Sequence, residues 1–399
     1  MATRDAGAVP GGWQVQRIRI GEVDYPYYYG VDCLDLVLQE LAALDADLFV
    51  VVTDDTVLEL HGQALLPGLR ALAGVEVISH PPGEAMKTLP VLAADLERVL
   101  AAGATRRSVV VGLGGGVPGN LAGVIAALLF RGVRLVHIPT TTTAAMDSVL
   151  SLKQAINSAI GKNHIGTYLP PYAVFTDVAL LATLPDRELR SGLCEAAKNC
   201  LAIRPEALPR LREVLAGGAL STPAALLWLL DESVRAKSSV TVDDAREQRT
   251  GLVLEYGHTV GHAVELADHR RRGNDGVSHG EAIAFGMVVA ATIAHRRGWL
   301  PAEIVELHEE VVSALGAPLR LPAGLTVDDV MDVVRDDNKR GYLPPCSESI
   351  AFVLLRELGR PAGDPGLPLV AVRLVEVREA LEVVQSREPV LTGADGEVA

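Results

Sequence analysis

The chain has 399 residues, enough for two domains with sizeable cores. Hydrophobic residues make up 49% and aromatics only 4%, which excludes a disordered chain and fits a soluble α/β or helical enzyme. The net charge of −14 excludes nucleic acid as a general partner and makes lysines gathered on particular loops informative. The four cysteines, Cys33, Cys194, Cys200 and Cys346, show no CxxC pairing and read as reduced thiols of a cytoplasmic protein. The opening "MATRDAGAVPGG" lacks an apolar signal core, and no apolar run is long and uninterrupted enough to span a membrane. Residues 1–12 and 386–399 read as loose tails.

Residues 13–185 read as an α/β domain. From Asp47 to about Val178, short β-branched runs alternate with helical patterns. "DLFVVVTDD" predicts a strand and "TVLELHGQALLPGLRALAG" a helix. "VEVISHPPGE" predicts a strand running into a loop, and "LPVLAADLERVLAAG" another helix. "RRSVVVGLGGG" predicts a strand ending in a glycine-rich turn, followed by the helix "NLAGVIAALLFRG" and the strand "RLVHIPTT". Such alternation predicts βαβ units and a mostly parallel, Rossmann-like sheet covered by helices. Over 186–385 helical patterns follow one another, with no strand signal before "SIAFVLL" near residue 350. This half reads as an α-helical domain.

Gly114, Gly116 and Gly119 stand in GxGxxG spacing between a strand and a helix, where backbone N–H groups can hold a pyrophosphate. A glycine turn used only for tight packing has the same spacing. The following strand ends in "PTT" instead of an acid for the ribose, and Asp54 on an earlier strand suits that role better. Other strand-end loops present Glu84 and Lys87, then Asp147 and Lys153, then Lys162 and Asn163. With Arg131, these lysines suit a phosphorylated substrate. In "GLCEAAKNC", Glu195 and Lys198 lie three apart on an apolar helix, an unusual place for charge. In "GLVLEYGHTVGHAVEL", His258 and His262 lie four apart on one helical face, Glu255 three residues earlier shares roughly that face, and His279 follows in "VSHGEA". That set suits a divalent metal or a proton-transfer site, with Glu195 a plausible further ligand. His137 and His164 have structural readings as well, and His61, His269 and His295 read as surface residues.

Taken together and in order, "PGEAMKT", "GGGVPGN", "LLFRG", "PTTTTAAMDSVLSLKQAIN", "GKNHIGTYLPP", "GLCEAAKN", "GHTVGHAVE", "HGEAIAFGM" and "DNKRG" resemble the sugar phosphate cyclases, the family of 3-dehydroquinate synthase. The resemblance covers about Leu48 to Tyr342. It implies an N-terminal NAD-binding α/β domain, a helical metal-binding domain carrying Zn or Co, and a homodimer. It assigns the metal to Glu195, His258 and His279, where spacing alone selects His258 and His262, and it places His262 near the substrate phosphate. By the same matching, Asp147, Lys153, Lys162, Asn163, Lys198 and Lys339 face the substrate, with Arg131 reaching across the dimer. Asp54, Glu84, Lys87, Gly115, Gly116, Asn120, Thr140, Thr141, Asp147 and Asp177 fall on the NAD side.

Departures from the family pattern bear on the substrate. Dehydroquinate synthases begin the histidine helix with "RxLLN(L/F)GHT", whose Arg and Asn help bind a carboxylate, and here those positions are Gly251 and Glu255. "GGGxxGD" becomes "GGGVPGN" with Asn120, and "SIGGK" becomes "SVLSLK". A carboxylate receptor that loses Arg and gains Glu repels its old ligand. "EYGHT", "SVLSLKQA" and "DNKRGYLP" are similar instead to members that cyclise glucose 6-phosphate for aminoglycoside antibiotics. Such members oxidise C4 with NAD, eliminate phosphate from C6, return the hydride and close the carbocycle by aldol addition. Lys153 and Glu255 are the candidate sugar-binding and acid/base groups. Dehydroquinate synthase, a valiolone-type cyclase and a metal-dependent polyol dehydrogenase are the competing readings.

Overall fold

The structure is a computed structural model that describes residues 13–387, except 160, 219, 274, 275, 336–338, 340 and 365. Both expected loose tails lie almost wholly outside the described residues, and so does part of the "DNKRG" motif. The chain divides into two compact units. One runs to Leu189 and takes in Ser221–Val234; the other comprises Arg190–Leu220 and the chain from Arg235 onward.

The first unit is built in the order β1 (Gln14–Ile20), β2 (Val23–Gly30), α1 (Leu34–Ala42), β3 (Leu48–Asp54), α2 (Asp55–Leu72), β4 (Gly74–His80), α3 (Leu89–Ala101), β5 (Val109–Gly114), α4 (Gly116–Leu128), β6 (Arg134–Pro139) and α5 (Thr142–Met146). Then come β7 (Lys153–Ser158), β8 (Gly161–Tyr168), β9 (Ala173–Asp177) and α6 (Val178–Leu181). Seven strands form one sheet in the order β1-β2-β9-β6-β5-β3-β4, parallel throughout except for the β1–β2 hairpin. The central strands β5 and β9 are buried along their whole length, as expected where both faces are covered. Separate apolar clusters lie on the two faces, one around Phe49, Leu69 and Phe175, the other around Val50, Leu121 and Ile125. The chain passes from β3 out to the edge strand β4, then returns to the other side of β3 as β5. Strand order reverses there, so the crevice beyond the carboxyl ends of β3 and β5 is the switch point at which open α/β sheets bind ligands. Asp54 and Gly114 are the last residues of those two strands.

Two stretches read as loops are strands. Lys153 opens β7, and Lys162 and Asn163 lie on β8, which pairs with β7 as an antiparallel hairpin. His61 is also not a surface residue. It is buried on α2, and its Nε2 lies 3.1 Å from the Thr183 hydroxyl. His269 and His295 are half-buried and hydrogen-bond the carbonyls of Val277 and Leu300.

The second unit is helical. Its elements are α7 (Asp186–Ala202, entering the unit at Arg190), α8 (Leu208–Ala216), the end of α9 (Pro223–Thr241), α10 (His258–Arg272), α11 (His279–Arg296), α12 (Ala302–Ala314), α13 (Val327–Val334) and α14 (Leu374–Ser386). The strand expected near residue 350 is Ser349–Phe352, antiparallel to Val370–Arg373. Helix α11 is buried from Ala282 to Ala294 on every side and packs against α10, α12 and α14. The histidine helix starts later than its apolar pattern indicates. Thr250–Glu255 forms a 3₁₀ turn, Gly257 takes a left-handed φ of 81°, and only then does α10 begin at His258. Glu255 therefore does not share the helical face of His258 and His262.

Glycines set the closeness of α7, α10 and α11. A Cβ on Gly280 would lie 1.9 Å from the Ser191 carbonyl oxygen, and one on Gly286 would lie 2.0 Å from that of Gly257. Neither backbone atom can move aside as a side-chain tip would. Gly286→Ala should therefore force α10 and α11 apart at a cost of about 1–3 kcal/mol, lowering the melting temperature. Because His258 and His279 begin these two helices, metal content measured on the purified variant should fall with it.

Candidate metal and nucleotide sites

Glu195 on α7 is fully buried, and its neighbours account for only one of its oxygens. Lys198, one helical turn on and also buried, donates from Nζ to Oε2 at 2.5 Å. Oε1 makes no hydrogen bond, yet it lies 3.4 Å from Nε2 of His279 and 3.7 Å from Nε2 of His258. Donors bonded at about 2.0–2.1 Å to one tetrahedral ion are separated by roughly 3.4 Å, so this spacing matches a shared ion. The far side of each ring fixes its tautomer. His258 donates from Nδ1 to the Tyr256 carbonyl at 3.2 Å, and His279 donates from Nδ1 to Glu265 Oε2 at 3.1 Å. Both Nε2 atoms are thereby directed at the orphaned oxygen, with a carbonyl and a carboxylate bracing the rings from behind.

Electrostatics favour the same reading. Burial would raise the Glu195 carboxyl, but Lys198 and the two histidines override it and hold the group well below the usual carboxylate range. Burial pushes His258 down to about 4 and His262 down to about 3, so both are neutral donors at pH 7. Burial also works against charge on His279, but its contacts with Glu195 and Glu265 lift it to about 10, so a metal arriving there displaces a proton. The capping box of Ser278 and Glu281 fixes His279 as the first residue of α11. His262 stands close by. Its ring centroid is 5.1 Å from that of His258 and 5.8 Å from that of His279, and one nitrogen from each of the three lies within 4.8 Å of the others. Two imidazoles and a carboxylate fit Zn or Co. Glu265, three residues after His262 on α10, is a functional neighbour absent from the sequence reading, although its helical spacing pointed to it.

Glu255 is half-buried at the end of its 3₁₀ turn, and the buried Lys339 lies 3.5 Å from its Oε2. Asp244 shapes this turn by accepting from the backbone amides of Gln248, Arg249 and Gly251.

In the first unit the glycine-rich turn lines a small cleft with Asn120, His137, Ser148, Lys153 and Gln154. Gly115 is the N-cap of α4 and Gly116 its first residue, so backbone amides at that end lack helical acceptors. Nδ1 of His137, which lines the cleft, is buried without a hydrogen bond, and so is Oγ1 of Thr140, the residue after the same strand, whose amide donates to the Gly114 carbonyl at 3.0 Å. Asn120 is a brace: it donates to the Gly116 carbonyl at 2.8 Å and accepts from the Ala155 amide at 2.8 Å. Glu84 and Lys87 belong to a network centred on Asn157, a residue the sequence reading missed. Asn157 donates to Glu84, accepts from the Asn163 amide, and Lys87 Nζ donates to Asn163 Oδ1 at 2.5 Å. Burial lowers the Lys87 ammonium from its ordinary value, partly offset by Glu84.

Other expected ligands are partly committed to the fold. Asp54 caps α2 through the Val57 amide, Thr141 caps α5 through Ala144, and Asp177 accepts from the amides of Asp32, Cys33 and Ala179. Lys153 and Lys162 project exposed from the hairpin, and Asp147 stands at the break after α5. Arg131 is exposed and takes a left-handed φ of 67°, directly after Phe130 at 52°. Among the described residues, no helix is long and apolar enough to cross a membrane.

The chain is similar to known proteins over most of its length. The family models of the 3-dehydroquinate synthase N-terminal and C-terminal domains match residues 77–191 and 192–340. A 2-deoxy-scyllo-inosose synthase from Streptoalloteichus tenebrarius is 49% identical over 357 residues, covering 89% of this chain and 91% of the relative. A crystal structure of 2-deoxy-scyllo-inosose synthase complexed with carbaglucose-6-phosphate, NAD⁺ and Co²⁺ is 34% identical with a TM-score of 0.83, covering 92% of this chain and 99% of that one. The 2-epi-5-epi-valiolone synthase ValA from Streptomyces hygroscopicus subsp. jinggangensis 5008, with NAD⁺ and Zn²⁺ bound, is 26% identical with a TM-score of 0.77 over 92% of this chain and 99% of that one. With its parallel-sheet unit, its helical unit and this degree of likeness, the chain belongs to the 2-deoxy-scyllo-inosose synthases of the 3-dehydroquinate synthase family.

Proposed function

We propose that the chain cyclises D-glucose 6-phosphate to 2-deoxy-scyllo-inosose with release of phosphate, as a carbon–oxygen lyase using NAD and a divalent Zn or Co ion. The observation that supports this reading is the buried Glu195 oxygen that makes no hydrogen bond and faces Nε2 of both His258 and His279, in a chain so similar to relatives of that name. The place proposed for it is the cytoplasmic biosynthesis of aminoglycoside antibiotics, as a homodimer.

When bound, NAD supplies reversible oxidation at C4, and the metal supplies Lewis-acid polarisation of the sugar hydroxyls. The chain's residues bind, orient and move protons. Glu195, His258 and His279 hold the metal, while Lys198 balances the buried carboxylate and Glu265 keeps the His279 tautomer. Glu255 orients a substrate hydroxyl and exchanges a proton with it, and Lys339 stabilises its charged form. Lys153, Lys162 and Asn163 bind the sugar and its phosphate, together with His262 and with Arg131 from a second copy of the chain. Asp54, Glu84, Lys87, Gly115, Gly116, Asn120, Thr140, Thr141, Asp147 and Asp177 form the NAD side, with Asn120 and Asp177 acting by holding backbone in place. Nothing at positions 251 and 255 suits a carboxylate-bearing sugar, because Glu255 is an anion and Gly251 offers no cation.

The deciding experiment offers glucose 6-phosphate beside the two heptulose phosphates used by the dehydroquinate and valiolone cyclases. Phosphate should be released from glucose 6-phosphate over many turnovers with no matching build-up of NADH. A polyol dehydrogenase would produce one NADH per substrate consumed, and that outcome would refute the cyclase.

Chelation should abolish turnover, and Zn²⁺ or Co²⁺ should restore it. His279→Ala should lose bound metal together with its rate, and full activity in a metal-free His279→Ala protein would remove the metal assignment.

Glu255→Gln keeps the shape of the side chain but removes the base. It should lower kcat by roughly a hundredfold with metal and NAD still bound. A near-normal kcat accompanied by weakened metal binding would make Glu255 a brace for the site instead.

A further inference from the structure

Asp147 sits between two short helical turns, α5 and the turn Ser148–Leu150, and is itself non-helical with φ −134° and ψ −70°. Turns this short leave carbonyls without helical partners. Water cannot reach them easily here, because Ala144, Ala145, Met146, Val149 and Leu150 are all buried. Two tyrosines of β2 supply the missing donors. The Tyr27 hydroxyl donates to the Ala145 carbonyl at 2.9 Å, and the Tyr25 hydroxyl donates to the Val149 carbonyl at 2.9 Å. Standing two apart on one strand, they point to the same face of the sheet. One therefore holds the residue two before Asp147, and the other holds the residue two after it. The Tyr27 oxygen accepts from Thr176 Oγ1 at 2.9 Å, which directs the tyrosine proton toward Ala145. The start of the segment is tied as well, through Thr142 Oγ1 donating to the Leu189 carbonyl at 2.8 Å.

We propose that Tyr25 and Tyr27 are positioning residues that set the placement of Asp147 toward the bound cofactor and sugar phosphate. The proposal rests on the assignment of Asp147 to that site. Both rings are almost wholly buried, so neither tyrosine is placed to touch a ligand itself. Their effect passes through the backbone on either side of the aspartate. A shift of about an ångström in a binding group is enough to cost a large factor in rate, and two hydroxyls straddling one residue constrain it better than packing alone.

The test uses full-length, metal-loaded protein carrying Tyr25→Phe, Tyr27→Phe, Asp147→Asn and the two double combinations. Phosphate release from glucose 6-phosphate gives kcat/KM, with NAD⁺ affinity measured by calorimetry and bound metal by elemental assay. Each Tyr→Phe change should lower kcat/KM roughly tenfold at unchanged metal content. In the Asp147→Asn background the same change should cost less than about twofold, because the group it positions is gone. Full tyrosine losses that persist beside Asp147→Asn would overturn the proposal and leave the hydroxyls a purely structural role. Wild-type kcat/KM in both Tyr→Phe proteins would overturn it too. An Asp147→Asn protein with normal kcat/KM and NAD⁺ affinity would instead remove Asp147 from the site, and the proposal with it. Should Tyr27→Phe not fold, Thr176→Val keeps the tyrosine but frees its hydroxyl to rotate. It should show a smaller loss that likewise vanishes beside Asp147→Asn, and an undiminished loss there would count against the proposal.

Discussion

A carboxylate removed from water is costly unless positive charge and hydrogen bonds answer it, and Glu195 has no exposed surface at all. Lys198 answers half of that demand through Oε2. The other half is left to Oε1, which faces Nε2 of the neutral His258 and of His279, and a cation at that place, proton or metal, meets it. The second unit is arranged around this requirement. Glycines at 280 and 286 let the backbones of α7, α10 and α11 approach closely enough for one ligand from each to converge. Backbone and carboxylate partners behind the rings then hold the Nε2 atoms inward. Charge balance makes the arrangement conditional: with the proton on His279 the group is satisfied without metal, and a metal ion bound there would replace that proton.

The first unit solves a different problem. A parallel sheet buried on both faces leaves binding to the loops beyond its carboxyl ends, and these loops must be held by groups other than a core. Several residues expected as ligands carry out this work. Asp177 gathers three backbone amides and Asn120 joins α4 to β7, while Asn157, not among the expected ligands, connects Glu84 to Asn163 on β8. Polar residues that carry family motifs in this unit divide into those that can meet a ligand and those that hold the ones that do. Gln154 belongs to the second kind. A Cβ on Gly123 would overlap its side chain at 1.9 Å, so α4 passes directly over it.

The buried parallel strands were legible because burial on both faces leaves continuous β-branched runs, as in "FVVVTD" and "SVVVGLG". The β7–β8 hairpin was not, because β8 is exposed along nearly all its length and carries no apolar alternation. The β1–β2 hairpin escaped for a related reason. Its strands mix arginines, a proline and four tyrosines, and the tyrosines serve as hydrogen-bonding groups as much as core. In the site, helical spacing correctly paired His258 with His262 as neighbours. It missed the break at Gly257, since a left-handed glycine leaves the apolar pattern around it unchanged. The set Glu195, His258 and His279 draws on three helices, and a relation of that kind is carried by packing, which local spacing does not encode.

The change at positions 251 and 255 is larger than a swap of two side chains. The Gly251 amide donates to Asp244 Oδ2 at 2.9 Å, and a Cβ at 251 would lie 3.0 Å from that same oxygen and 3.1 Å from the side chain of Glu247. Asp244 also fixes the amides of Gln248 and Arg249, so the whole turn is wound onto one carboxylate. A side chain introduced at 251 would push Asp244 and Glu247 by a few tenths of an ångström, at the carboxylate onto which the turn is wound. Glu255 follows at the end of the same turn, within 3.5 Å of the buried Lys339, and its place depends on the turn remaining as it is. On the role proposed for Glu255, the absence of a carboxylate receptor and the presence of a hydroxyl-directed acid are thus coupled through Asp244. Restoring arginine alone would disturb Glu255 without rebuilding the receptor, which makes preference for a neutral sugar a property of the turn and not of one residue.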